Sequence, residues 1–163
     1  MSVPPIPPGM EGLIPHLVCE NCNAAIDFYV KAFGATEICR MPSPDGKRLM
    51  HAEIKLGDAI VFLADDFPEY CGGKSANPKA LGGTPISIHR YVPSVDAAMD
   101  KAVSAGATVE MPAMDMFWGD RYGVIVDPFG HKWSFATHLK EMTAEEMAAA
   151  SKEAFAQADA QHG

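Results

Sequence analysis

The sequence predicts an α+β fold in which two tandem β-α-β-β-β modules form a curled mixed sheet with helices outside, followed by a C-terminal helix. Three observations predict it. The stretch Met116 to His138 reads as a β-hairpin: Gly123 to Val126 is a β-branched run, Asp127-Pro128-Phe129-Gly130 is a turn, and Lys132 to His138 alternates in character. Residues Leu13 to Ala64 show the periods of a strand, a helix and three further strands. That unit then recurs. An offset of 73 lays His16 on His89, Ala24–Asp27 on Ala97–Asp100, Gly46 on Gly119, Arg48 on Arg121 and Gly57 on Gly130, and an offset of 72 lays Gly34–Thr36 on Gly106–Thr108. Neither copy alone would bury a large core, so the two should pack together.

In chain order, residues 1–9 carry Pro4, Pro5, Pro7 and Pro8 and read as a flexible extended arm. A single domain is expected over 10–138, with modules at 10–65 and 84–138. Leu13 to Cys19 is strand-like, and Ala24 to Phe33 places Ala25, Ile26, Tyr29 and Phe33 on one helical face that Gly34 ends. Thr36 to Met41, Arg48 to Leu56 and Ala59 to Ala64 complete the first unit. The linker 66–83 is rich in Gly, Pro and Asn and lacks periodicity, as a connector or flexible cover would. The extension 139–163 opens on a capping box, Thr143 with Glu146, and a Met142/Met147 staple, which predict a helix of about 15 residues. Its narrow stripe of Met147, Ala150, Ala154 and Phe155 suits docking on the body or on a second subunit.

Composition narrows the function classes. A chain of 163 residues with 48% hydrophobic and 21% charged residues is globular. Its net charge of −8 and lack of a basic patch argue against nucleic-acid and membrane-surface partners. No apolar run approaches a membrane span, and the N-terminal stretch lacks a basic and an apolar signal region, so a cytoplasmic location is expected. Cys19 and Cys22 form a CxxC without a second pair at zinc-finger spacing, and together with Cys39 and Cys71 they read as ordinary reduced cysteines.

The segments AIDFYVKAFGA, VDAAMDKAVSAGATV and DMFWGDRYGVIVDPFGHKWSFATH resemble the vicinal oxygen chelate superfamily of glyoxalase I, bleomycin-resistance proteins, fosfomycin-resistance enzymes and extradiol dioxygenases. The closing motif is most similar to its PhnB-like, glyoxalase-like branch. The resemblance spans about 130 of the 163 residues. It implies half-open barrels with a small-molecule cavity on the concave side, and a homodimer. It also implies metal ligands on the first and last strand of each module. By alignment those positions fall at Ile14, Ser87, Val61 and Ser134, none a usual ligand, so the chain departs from the family's metal pattern.

On the implied cavity face stand other polar residues. His16 and His89 lie two residues beyond the vacant first-strand positions, hence on the same side, and are mates under the repeat. His51 and Glu53 share one face of the third strand, opposite Ala52 and Ile54, while Ser134 and His138 share one face of the last. A carboxylate beside an imidazole suits a general base. His16, His89 and Glu53 equally suit one divalent ion, zinc, nickel, iron or manganese, and a metal-free cavity is the equal alternative. Trp118, Arg121 and Tyr122 would make a wall for a planar or anionic ligand, with Asp120 and Arg121 pinning the loop by side-chain hydrogen bonds. His131 is expected to face solvent, and Arg90 has no role. Two functions are then open: a lyase, isomerase or transferase acting on a small oxygenated substrate, with a metal or the candidate catalytic residues Glu53 and His51 handling a proton next to a carbonyl, or a protein that sequesters a drug or metabolite without chemistry.

Overall fold

The computed structural model describes residues 3–162; Met1 and Ser2 of the Pro-rich arm and Gly163 of the C-terminal extension lie outside the described residues. Strand β1 (His16–Cys19) begins only after Pro15, whose carbonyl accepts from the Phe62 amide, and Leu13 upstream is fully exposed. The strand is therefore shorter than its apolar run. Helix α1 (Cys22–Phe33) starts where the Asn21 side chain accepts from the Ala24 amide, and ends at Gly34, whose φ of 69° an L side chain would resist. Strands β2 (Thr36–Pro42), β3 (Leu49–Leu56) and β4 (Ala59–Asp65) follow. In the linker lie a 3-10 turn (Pro68–Tyr70) and the short helix α2 (Pro78–Leu81). The Asp66 carboxylate fastens this segment by accepting from the Ala76 and Asn77 amides and the Asn77 side chain.

The second unit repeats the first as β5 (Ser87–Tyr91), α3 (Val95–Ser104), β6 (Thr108–Asp115), β7 (Asp120–Val126) and β8 (Lys132–His138). Helix α4 (Ala144–His162) is longer than its capping box announced. The box is formed: Glu146 accepts from the Thr143 amide, and the Thr143 hydroxyl accepts from the Glu146 amide. The chain thus makes two curled, unclosed four-stranded sheets, ordered β1-β4-β3-β2 and β5-β8-β7-β6. The first and last strands of each module pair in parallel, and the other pairs are antiparallel.

One face of each sheet packs against α1 and α3. Ala52, Ile54, Val61 and Leu63 line it in the first sheet, and Ile125, Trp133 and Phe135 in the second, nearly all without exposure. Phe33 of α1 lies 4.6 Å from the Trp133 ring, so the two modules share one core. The other face of each sheet is open.

The strand pairing corrects the alignment of the repeats. His16 stands opposite Phe62, which pairs with Glu53, which pairs with Cys39. The matching row of the second sheet is His89, Ser134, Val124 and Met111. Phe62, not Val61, is therefore the counterpart of Ser134. The constant offset failed because the second unit is one residue shorter before β6 and one shorter again before β7, and its longer β7–β8 turn restores only one, so that Cys39 matches Met111, Glu53 matches Val124 and Phe62 matches Ser134. His131, expected to face solvent, is instead buried in that longer turn. Its Nε2–H donates to the Val18 carbonyl at 3.1 Å, and Cys19 Sγ lies 3.8 Å from the same nitrogen. Burial pushes its pKa down against the raising effects of Asp127 and Val18.

Candidate functional site

On the open face of the first sheet, β3 places His51 and Glu53 on one side because they are two residues apart, while Ala52 and Ile54 fill the core. His51 Nε2 lies 3.1 Å from Glu53 Oε1, and both side chains are half-buried. The His51 ring meets Phe62 edge-on at 4.8 Å and His16 at 6.4 Å. Burial, and then the neighbouring His51, push the His16 pKa down, so His16 is neutral at pH 7. Beside it, a cleft of about 330 Å³ is walled by Ala76, Pro78 and Leu81 of the linker and by Ile86 and Ile88.

Cys39 completes this cluster, and the sequence did not announce it. A β-bulge between Glu37 and Cys39 inserts Ile38, so that Cys39 rather than Ile38 stands opposite Glu53. Among the described residues, Cys39, His51 and Glu53 form the group of metal-type donors whose atoms all lie within 4.8 Å of one another.

The second sheet carries a different surface. His89 Nδ1 lies 2.9 Å from Ser134 Oγ, and its ring stacks at 6.0 Å on Tyr122, which meets Trp118 at 5.9 Å. Arg121 is not part of this wall. It alternates to the helix side of β7, where its guanidinium is held by Asp96 of α3 and by Asp115. Nor does it pair with Asp120, since adjacent residues of a strand point to opposite faces. Asp120 instead accepts from the Tyr91 hydroxyl at 2.9 Å and lies 2.8 Å from His138 Nδ1. Burial raises the Asp120 pKa, but these hydrogen bonds outweigh it and leave the group lowered. His138, bonded to Asp120 and Glu141, is raised.

The sequence-derived residues thus fall into two patches, His16, His51 and Glu53 on the first sheet and His89, Trp118, Tyr122, Ser134 and His138 on the second. The metal set His16, His89 and Glu53 is divided between them. The family's ligand positions do not fit a divalent ion either. Ile14 and Phe62, the corrected counterpart of Ser134, offer no donor atom, and the buried Ser134 hydroxyl is engaged by His89.

Two repeated βαβββ units with open, polar-lined sheet faces define the glyoxalase class of fold. The chain belongs to the glyoxalase/bleomycin resistance protein/dioxygenase superfamily, whose family model matches residues 13–135. An uncharacterized protein of Mycobacterium tuberculosis is 52% identical over 138 residues, which are 85% of this chain and 81% of that one. Among solved structures, TioX from Micromonospora sp. ML1 has a TM-score of 0.58 at 27% identity, covering 78% of this chain and 100% of that chain. The fosfomycin resistance protein FosX of Listeria monocytogenes, solved with Mn(II) and sulfate ion, has a TM-score of 0.57 at 16% identity, covering 83% and 96%. At that identity the likeness is one of fold.

Proposed function

We propose that this chain binds a small oxygenated molecule on the open face of its first module and acts on it as a lyase or isomerase, with Glu53 taking a proton from a carbon next to a carbonyl. One observation carries this reading: His51 and Glu53 are 3.1 Å apart and half-buried, on a face that also holds His16. A core sheet has no need of three ionisable groups there. One Glu53 oxygen is oriented by His51 and the other is free to accept the proton. His51 returns a proton to the neighbouring atom, so that no net proton is gained or lost. Neutral His16 is placed to hydrogen-bond a substrate oxygen, and Phe62 gives an apolar wall that strengthens these contacts. Trp118, Tyr122, His89 and Ser134 would hold a planar part of the ligand on the second sheet.

The same proposal includes the PhnB-like branch, supported by the motif 116–138, a cytoplasmic location, and a homodimer. In support of the dimer, Met41 and Met114 are about half exposed on the rows of His51 and Tyr122. Among the described residues no helix is long and apolar enough to cross a membrane.

A second reading, sequestration of a ligand without chemistry, is favoured by the apolar Ile14 and Phe62 at the family's metal positions. Titrating isotope-labelled protein with hydroxyacetone, dihydroxyacetone and related 2-hydroxy carbonyl compounds tests the site. The reading expects the His16, His51 and Glu53 resonances to move first. Shifts confined to the cleft between Ser43 and Tyr70 would place binding elsewhere.

A further inference from the structure

We infer that Cys39, His51 and Glu53 form a site for one divalent ion of the zinc, cobalt and nickel class, built on the edge of the first sheet and separate from the family's ligand positions. Three features carry it. The donors are chemically distinct and already gathered, with all three atoms within 4.8 Å of one another and His51 Nε2 3.1 Å from Glu53 Oε1. Bonds of about 2.0–2.3 Å to a tetrahedral ion place neighbouring ligands about 3.5 Å apart, within reach of small side-chain rotations. Backbone geometry, moreover, aims the cysteine. The bulge at Ile38 turns Cys39 onto the His51–Glu53 face, and without it an isoleucine would stand there.

The second sheet supplies an internal comparison. It carries the same irregularity, since Val109 and Met111 oppose Ile125 and Val124 with Glu110 inserted. In the equivalent places stand Met111, Tyr122 and Val124, which offer no thiolate, imidazole or carboxylate. The shared bulge therefore belongs to the fold, and the donor set belongs to the first module alone.

The donor chemistry selects the ion. A thiolate with an imidazole and one carboxylate suits zinc, cobalt and nickel and disfavours magnesium and calcium, which take oxygen ligands. Loading releases the Cys39 thiol proton to solvent and changes no oxidation state. Three protein donors leave a fourth position open, and β2 is the outermost strand with Cys39 exposed, so an ion has access. The inference rests on the open face invoked for the proposed function but not on catalysis there. An ion seated on Glu53 takes the carboxylate that would act as base, so the loaded and the proton-transferring forms exclude one another.

The test is titration of the chelator-treated full chain with cobalt(II) under reducing conditions, followed by the thiolate-to-cobalt absorption band. The expected result is one cobalt per chain with that band. Cys39→Ser should lose the band and weaken binding at least about tenfold. Glu53→Gln should weaken binding but keep the band, and Cys71→Ser, at the other exposed cysteine, should change neither. Cobalt binding without the band, a band that survives Cys39→Ser, or no binding would overturn the site. Because the band requires no organic ligand, it can appear even where no carbonyl compound perturbs His16, and the two readings fail separately.

Discussion

The hydroxyl of Tyr29, on α1 of the first module, donates a 2.7 Å hydrogen bond to the Asp127 carboxylate, in the last turn of the second. The same carboxylate accepts from Trp133 Nε1 at 2.9 Å and from the Phe129 and His131 amides. One buried acid thus joins the modules and shapes the turn that precedes β8. Burial and the Asp127 charge hold the tyrosine pKa well above its usual value, so it remains a donor.

Replacing Asp127 by Ala should therefore cost about 3–5 kcal/mol, because it strands several buried donors at once. Tyr29→Phe, which leaves the carboxylate its other partners, should cost about 1–2 kcal/mol. Urea denaturation measures both, and equal effects would show that Asp127 acts through Tyr29 alone.

The His138–Asp120 pair predicts a pH dependence. The folded His138 pKa is raised, first by its hydrogen bond to Asp120 and then by that to Glu141. The stability it contributes is complete below the unfolded imidazole value of about 6.5 and is lost as pH rises through the folded value. Wild-type protein should lose stability relative to His138→Gln between slightly acidic and slightly alkaline pH. Parallel profiles for the two proteins would contradict the pairing.

His16 should behave in the opposite sense. Burial, then His51, lower its pKa, so its contribution is complete above the unfolded value and erodes as pH falls through the folded one. Imidazole NMR should place His16 below an ordinary histidine. His51→Gln should restore it only partway, since burial is the larger cause; full restoration would assign the shift to His51.

Gly119 ties the wall of the second sheet to the C-terminal segment. Its carbonyl accepts from the Leu139 and Lys140 amides, its φ is 94°, and an added Cβ would lie 2.5 Å from the Lys140 carbonyl oxygen. Gly119→Ala should destabilise the protein by about 2 kcal/mol or more, through backbone strain and that clash. Thermal unfolding would show the loss, and an unchanged midpoint would mean that the Lys140 segment is free to move away.

How far the sequence discloses this molecule depends on what each feature rests upon. The modules were legible because helix and strand periods, Gly34 and the turn at Asp127–Gly130 are local signals. His51 and Glu53 were legible as a pair for the same reason, being two residues apart on one strand. Cys39 was not, because a bulge one residue long shifts the alternation and leaves no mark in the pattern. Arg121 reads as a companion of Trp118 and Tyr122, but Asp96 on α3 and Asp115 on β6, which no local pattern pairs with it, hold it on the helix side. His131 reads from the sequence as a solvent-facing turn residue because its acceptor, the Val18 carbonyl, lies 113 residues away in sequence.

The most direct test of the account is hydrogen–deuterium exchange at the carbon next to the carbonyl of hydroxyacetone and its relatives, followed by proton NMR in D₂O with chelator-treated protein. The account predicts faster exchange with wild-type protein than with Glu53→Gln, by about 10²-fold or more, as expected for loss of a general base. His51→Gln should fall between them. Equal exchange with wild type and Glu53→Gln, from a probe that moves the His16 resonance on binding, would contradict it and leave the open face a binding surface without chemistry.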